Sequence, residues 1–304
     1  MKFVRVAVVL IITASLAAVF LIPRFEQSLQ IQKYLKEISS RSIAQKPYPY
    51  PVKNQKFVQA PQIFAKSAVV LDAKTGDILF EKDANFHLLP ASTIKLMTAL
   101  VALQNCPPDK VVTVTQVETE PTLMGLATGD QLTVESLING LLIVSGNDAA
   151  FTLAYSCAPS VDEFVSQMNT KAKQLGMENT HFTNPIGFDN TAQFSTAKDL
   201  ARLAQAAIGN PLIAKIVATQ STVVTNIRGT KSYYLDNVNK LLGQVEGIEG
   251  IKTGQTEGAL GNLVTKTTRG GNTIITVILG SKDRFGETKT LIEWTFANYH
   301  WVNP

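Results

Sequence analysis

The chain is poor in the residues from which metal centres and imidazole catalysts are built: its 304 residues include two cysteines, three histidines and two tryptophans. Cys106 and Cys157 are too few for a thiolate metal site, and His87, His181 and His300 are scattered. Neither Gly-x-Ser-x-Gly nor His-Glu-x-x-His occurs, so the common hydrolase elbow and the helical zinc-peptidase site are both absent. Charge is also sparse. Charged residues make up 17% of the chain, and 28 Lys and Arg against 24 Asp and Glu leave a net charge of +4. With no basic run beyond short pairs, nucleic-acid binding has no support. Hydrophobic residues reach 45%, enough for one large core.

What is present is a set of three short strings in a fixed order: Ser92-Thr93-Ile94-Lys95, Ser145-Gly146-Asn147 and Lys252-Thr253-Gly254. A serine hydroxyl is a poor nucleophile at neutral pH, and a lysine can act as its base only if burial or a neighbouring cation keeps the amine uncharged. A spacing of three puts Lys95 on the face of Ser92 in a helix. Ile94 to Leu103 is apolar on almost every side, which predicts a buried helix and a desolvated lysine near its start. Ser92 then sits at the helix N-terminus, where backbone N–H groups favour developing negative charge. A hydroxyl beside an amide, then a Lys-Thr pair ending in glycine, completes the set used by penicillin-recognising serine enzymes. The chemistry these strings point to is acyl transfer.

Two of the strings recur, so order and context carry the argument. Ser195-Thr196-Ala197-Lys198 also fits Ser-x-x-Lys, but an amphipathic helix with Asp199, Arg202 and Gln205 follows, and Ser195 reads as its N-cap. Lys74-Thr75-Gly76 lies between the strand-like runs Ala68 to Leu71 and Ile78 to Phe80, where Asp72 to Asp77 reads as a hairpin turn.

Six blocks, at 72–103, 124–150, 175–190, 195–204, 236–242 and 250–264, stand in the order found in a known family. In them the chain resembles the D-alanyl-D-alanine carboxypeptidases, low-molecular-mass penicillin-binding proteins of the DacA type. The resemblance covers nearly all of residues 64–304. It implies Ser92 as the nucleophile that forms an acyl-enzyme and Lys95 as the base that takes its proton. It further implies Ser145 as the relay to the leaving D-alanine and Asn147 as the group holding Lys95 and the substrate amide. Lys252 and Thr253, followed by Gly254, resemble the pair that grips the terminal carboxylate, with Arg284 as a second positive charge. The oxyanion hole falls to the backbone N–H groups of Ser92 and Gln255. His181 fits a structural loop of the family.

The implied substrate is a peptidoglycan stem peptide ending in D-Ala-D-Ala, with β-lactams as inhibitors and with no metal or organic cofactor. Two departures stand out. Position 255 is glutamine where the family often has histidine, and Asn-Pro-Ile-Gly-Phe at 184–188 has phenylalanine where leucine is commoner. Many relatives also continue into a β-rich domain and a membrane-binding helix, whereas this sequence ends at Pro304. A class A-like β-lactamase shares the three strings but needs a Glu-x-x-Leu-Asn-like string to activate water, and none occurs; Glu178 is the nearest glutamate. A catalytically silent wall-binding protein is the third reading, opposed by the intact Ser92, Lys95, Ser145 and Lys252.

Lys2 and Arg5 precede Val6 to Ile22, seventeen residues without a charge, and Arg24 follows. Basic residues before an apolar run place the N-terminus in the cytoplasm and the remainder outside. Ser15-Leu16-Ala17 offers a cleavage site, but hydrophobicity continues through Val19 to Ile22, which favours a retained anchor over a signal peptide. Residues 1–24 are therefore read as anchor or signal, 25–62 as a stalk and 63–304 as the catalytic domain. The stalk is expected to hold a helix over Phe25 to Ser40 and an extended polyproline-like spacer over Lys46 to Pro51. Cys106 and Cys157 are either a disulfide or two buried thiols.

The coarse pattern predicts an α+β fold: strands at 67–71 and 77–82, helices from Thr93 to Leu212, strands at 219–227, 231–235, 259–266 and 273–279, and a final helix over Thr288 to Tyr299. One antiparallel sheet built from both chain ends, flanked by helices and a helical lobe, is the expected architecture. If residues 1–24 are a retained anchor, the full-length protein will fractionate with membranes and resist alkaline carbonate. A mature N-terminus near Ala18 would identify a cleaved signal instead.

Overall fold

The computed structural model describes residues 30–33, 48–117 and 121–303. The chain divides into two units, residues 1–49 with Pro304, and Tyr50–Asn303. Residues 30–33 are helical, while the rest of the helix expected over Phe25 to Ser40, and all of the segment 1–24, lie outside the described residues. No helix among the described residues is long and apolar enough to cross a membrane.

The larger unit is built on a five-stranded antiparallel sheet of order β3-β2-β10-β9-β8, from β2 (Ser67–Asp72), β3 (Ile78–Lys82), β8 (Ile248–Thr256), β9 (Leu260–Arg269) and β10 (Asn272–Ser281). Strands from both chain ends thus pair, Val69 opposite Val277 and Val70 opposite Thr276. Alternate residues serve two cores, as the period of a strand requires. Val69, Leu71, Ile275, Val277 and Leu279 face the helical lobe, while Ala68, Val70, Ile274 and Ile278 pack with Leu291, Ile292 and Trp294.

The lobe contains α1 (Lys95–Asn105), α2 (Val134–Ile143), α3 (Asn147–Cys157), α4 (Val161–Gln174), α5 (Ala197–Ile208) and α6 (Pro211–Val217). Several starts are capped by side chains that satisfy free N–H groups: Thr133 accepts from Ser136 N, Ser160 from Glu163 N, Thr196 from Asp199 N and Asn210 from Leu212 N. Helix α7 (Arg284–Asn298) covers the other face of the sheet, and Asp283 caps it.

Four expectations need correction. The strand carrying Lys252, β8, is missing from the predicted set, because Gly247, Gly250 and Gly254 interrupt its apolar pattern. The runs at 219–227 and 231–235 form a separate hairpin, β6 (Ser221–Thr225) with β7 (Ser232–Asp236), instead of joining the sheet. A second small hairpin pairs β4 (Val111–Thr113) with β5 (Gln131–Thr133). The final helix begins at Arg284, a turn before Thr288, and the chain leaves it as β11 (Tyr299–Val302).

The stalk does not run to residue 62. Strand β1 (Tyr50–Lys53) pairs with β11, placing Pro51 in a strand and not in a polyproline spacer. Val58 N donates to Asn298 Oδ1 at 2.6 Å and Val58 O accepts from Trp294 Nε1 at 3.0 Å. Phe57 meets Trp294 edge-on at 5.6 Å. These contacts are made by residues 50–62 themselves, which belong to the larger unit, Tyr50–Asn303.

Cys106 and Cys157 are joined as a disulfide across 51 residues, with Cα atoms 5.7 Å apart. Next to it, Asn105 Nδ2 donates to Cys157 O at 2.9 Å. Closing so long a loop restricts the unfolded chain, so replacing both cysteines by serine should lower stability by about 2–4 kcal/mol. The midpoint of urea unfolding, compared with and without the substitutions, measures it.

Candidate active site

Ser92 lies in a 3-10 turn, Ala91–Ile94, that leads directly into α1. The turn is strained and tightly clasped. Ala91 holds φ +49°, a region disfavoured for residues with a Cβ. Thr93 Oγ1 donates back to Pro90 O at 2.7 Å. Two glycines let other backbone close on it: a Cβ on Gly187 would lie 2.2 Å from Ala91 O, and one on Gly254 would lie 3.0 Å from Ser92 N. The first approach requires glycine, and the second leaves a Cβ only a tight fit.

Lys95 is fully buried, and its Nζ is surrounded by oxygens. It lies 3.2 Å from Ser92 Oγ, 2.7 Å from Ser145 O, 3.3 Å from Ser145 Oγ and 2.5 Å from Asn147 Oδ1. Asn147 is oriented by its other end, Nδ2, which donates to Pro121 O at 2.7 Å. Burial, then the charge of Lys252, push the Lys95 amine well below the usual lysine range, with Asp148 opposing the shift. An uncharged amine has two protons and one lone pair. The two carbonyl-type oxygens of Ser145 and Asn147 take the protons, and the hydroxyl of Ser92 is free to donate to the lone pair. Ser145 is held at φ +64°, which brings both its hydroxyl and its carbonyl to the amine.

Beside this cluster runs β8, the edge strand of the sheet. Lys252 is buried and donates to Thr253 O at 2.9 Å. Burial, with Arg284 nearby, pushes its ammonium down to about 7. Thr253 is buried, while Gln255 is exposed next along the strand. Arg284, at the start of α7, donates to Gly254 O at 2.7 Å and lies over the Phe285 ring at 4.9 Å. All nine residues singled out in the sequence therefore fall in two adjoining layers, a lysine-centred hydrogen-bond cluster and the strand edge beside it. The decoys fall elsewhere. Lys74 and Thr75 donate their N–H groups to Asp72 Oδ1 in a turn. Ser195 is buried against Thr180, and the cap of α5 is Thr196 in its place. His181 pairs through its backbone with Phe194.

Two residues of the site escape the sequence reading. Asp148 is buried at the start of α3, where it accepts from the N–H groups of Met124, Gly125 and Leu126 and fixes that segment beside Asn147. Its signal was an acid in the first turn of a helix, a common capping pattern. Asn184 Oδ1 accepts from the N–H groups of Ile186, Gly187 and Phe188, and so shapes the loop behind Ser92. Asn-Pro-x-Gly is a turn signal, but only the fold shows what the turn leans against. Among the described residues no group of three His, Cys, Asp or Glu side chains is placed to hold a metal ion.

A family profile described as D-alanyl-D-alanine carboxypeptidase, peptidase S11, matches residues 54–283. Curated relatives include DacF of Bacillus subtilis, 33% identical over 77% of this chain and 63% of that protein. DacC of Escherichia coli is 36% identical over 81% of this chain and 65% of that protein. The chain thus spans somewhat under two thirds of those two relatives. DacB2 of Mycobacterium tuberculosis is 35% identical and is covered over 86% of its length. Among solved structures, the Streptomyces K15 DD-transpeptidase is 31% identical, with a TM-score of 0.73 over 79% of this chain and all of that one. The profile, the relatives and the shared architecture agree, and the chain belongs to the peptidase S11 family of D-alanyl-D-alanine carboxypeptidases.

Proposed function

We propose that this protein is a serine D-Ala-D-Ala carboxypeptidase that removes the terminal D-alanine of peptidoglycan stem peptides. The observation that carries the reading is the fully buried Lys95 amine held between Ser92 Oγ and the Ser145 and Asn147 oxygens. Ser92 Oγ gives its proton to Lys95 Nζ as the oxygen adds to the penultimate carbonyl. The carbonyl oxygen becomes negative opposite the backbone N–H groups of Ser92 and Gln255. Collapse breaks the peptide bond, and the leaving D-alanine nitrogen takes the proton back from Lys95 through Ser145. Water then adds to the ester and releases Ser92. Lys252, Thr253 and Arg284 hold the terminal carboxylate, which aligns the scissile carbonyl with the serine. Asn147 keeps Lys95 on one side, and the second N–H of its Nδ2 remains for the substrate amide.

Ser92 Oγ has hydrogen-bond partners in Lys95 Nζ at 3.2 Å and Ile186 O at 3.4 Å. No carboxylate among the described residues hydrogen-bonds to Ser92 Oγ, and the sequence has no Glu-x-x-Leu-Asn-like string, which supports slow release of β-lactams. The disulfide supports an oxidising compartment. Together with the uncharged run before Arg24, it favours an extracytoplasmic enzyme tethered through residues 1–24.

Incubation with benzylpenicillin should add one acyl mass to the peptide containing Ser92, and a pentapeptide stem should lose its terminal D-alanine alone. Ser92→Ala should abolish both. Lys95→Ala should slow acylation by about 10² or more, the usual size of a lost general base. Rapid penicillin hydrolysis without D-alanine release would refute the reading.

The Lys252 ammonium, held at about 7, also makes a stability test. The unfolded chain keeps that proton until about pH 10.4, whereas the native chain loses it above about 7. Native protein binds fewer protons across that interval, so stability rises with pH there. The unfolding free energy of the wild type minus that of Lys252→Met should climb from pH 7 towards 10, by at most about 1.4 kcal/mol per pH unit. A flat difference would show that Lys252 is charged throughout.

A further inference from the structure

Behind the strand edge, one side chain that touches neither Ser92 nor Lys252 binds backbone leading to both ends of the site. Asn262 on β9 stands directly opposite Gly254 on β8, so its side chain projects from the same face of the sheet, the face on which the Ser92 turn rests. It is wholly buried. Its Nδ2 donates to Leu89 O at 2.9 Å, and its Oδ1 accepts from Gly280 N at 2.9 Å. Leu89 precedes the nucleophile by three residues, and Gly280 precedes Arg284 by four.

The second bond falls where the sheet is irregular. Leu263 pairs with Ile278 and Gly261 with Ser281, so Leu279 and Gly280 of β10 together oppose Asn262 of β9. Two residues against one is a bulge, which bends its strand and breaks the ladder locally. Gly280 holds φ +68° there, and its N–H is answered by the Asn262 amide oxygen instead of by main chain. Beyond the bulge the chain enters α7, and Arg284 donates to Gly254 O at 2.7 Å. A circuit closes through one amide: from the Ser92 turn by Leu89 to Asn262, by Gly280 to Arg284, and across Gly254 back to the turn.

We propose that Asn262 is a positioning residue that sets the separation between Ser92, which attacks, and Arg284, which grips the substrate carboxylate. The proposal rests on the carboxypeptidase reading and names what keeps the two ends of that site in register. The planar side-chain amide carries its donor and its acceptor on one rigid group. With both occupied by main chain, the nucleophile turn and the bulge cannot shift independently. A peptide held by its terminal carboxylate then presents its scissile carbonyl at the serine, and this alignment is worth rate and not affinity.

The test uses the full-length protein and a pentapeptide stem ending in D-Ala-D-Ala, with D-alanine release as the readout. Asn262→Leu keeps the size of the side chain and removes both hydrogen bonds. Its kcat should fall by about ten- to a hundredfold, the scale of a misplaced reacting group, with KM little changed. In an Arg284→Ala background the same substitution should cost much less, because the second end of the alignment is already gone. Asn262→Ser, too short to span both partners, should act in the same direction and serves if the leucine variant does not fold. A wild-type kcat in a folded variant, a rise in KM with kcat kept, or an equal loss with and without Arg284 would overturn the proposal. Failure of both variants to fold would assign Asn262 to the stability of the sheet alone and overturn it as well. If the wild type itself releases no D-alanine, the carboxypeptidase reading falls, and the proposal with it.

Discussion

The site depends on one unfavourable act, the burial of a lysine. In water the Lys95 amine would carry a proton and could not act as a base; inside the lobe, desolvation and the neighbouring Lys252 favour the neutral form. Burial alone would leave a mobile, unpaired polar group at high cost. The oxygens of Ser145 and Asn147 remove that cost and fix the direction of the lone pair. Each of those oxygens is itself held by something expensive or specific: the positive φ of Ser145, and the Pro121 carbonyl that orients Asn147.

The same economy of space governs the strand edge. Glycine at 187 and 254 lets two pieces of backbone lie against the Ser92 turn, so that the serine is enclosed by main chain on two sides. Main-chain groups cannot rotate away as side chains can. A site assembled this way is preorganised before substrate arrives, which is where electrostatic stabilisation gains most.

The two strands of the N-terminal hairpin, the buried helix after Ser92 and the α+β class were legible because each follows from local periodicity. Strand β8 was not legible for the reason it is useful: the glycines that break its pattern are the ones that permit close approach. Ser145 and Asn147 could be named from their spacing, but Asp148 and Asn184 could not, since their partners are backbone N–H groups that any acid or amide in a turn is equally able to bind. Thr196 displaced Ser195 as the cap because both residue types suit that position and the Ser195 backbone was already engaged with Leu88. Residues 50–62 read as spacer from their prolines, whereas their partners lie some 240 positions away, at Asn298 and Trp294.

Helices α1 and α3 have eleven residues each and run side by side in the same direction. Their starts carry Lys95 and Asn147, which touch; their ends carry Cys106 and Cys157, which are covalently joined. The two rods are therefore tied at both tips, about 16 Å apart at 1.5 Å per residue. Axial slip by a single residue would part the amine from the amide oxygen, and the bond at the distal tips forbids it. The disulfide acts as a gauge block, setting at one end of the lobe the alignment on which proton transfer depends at the other.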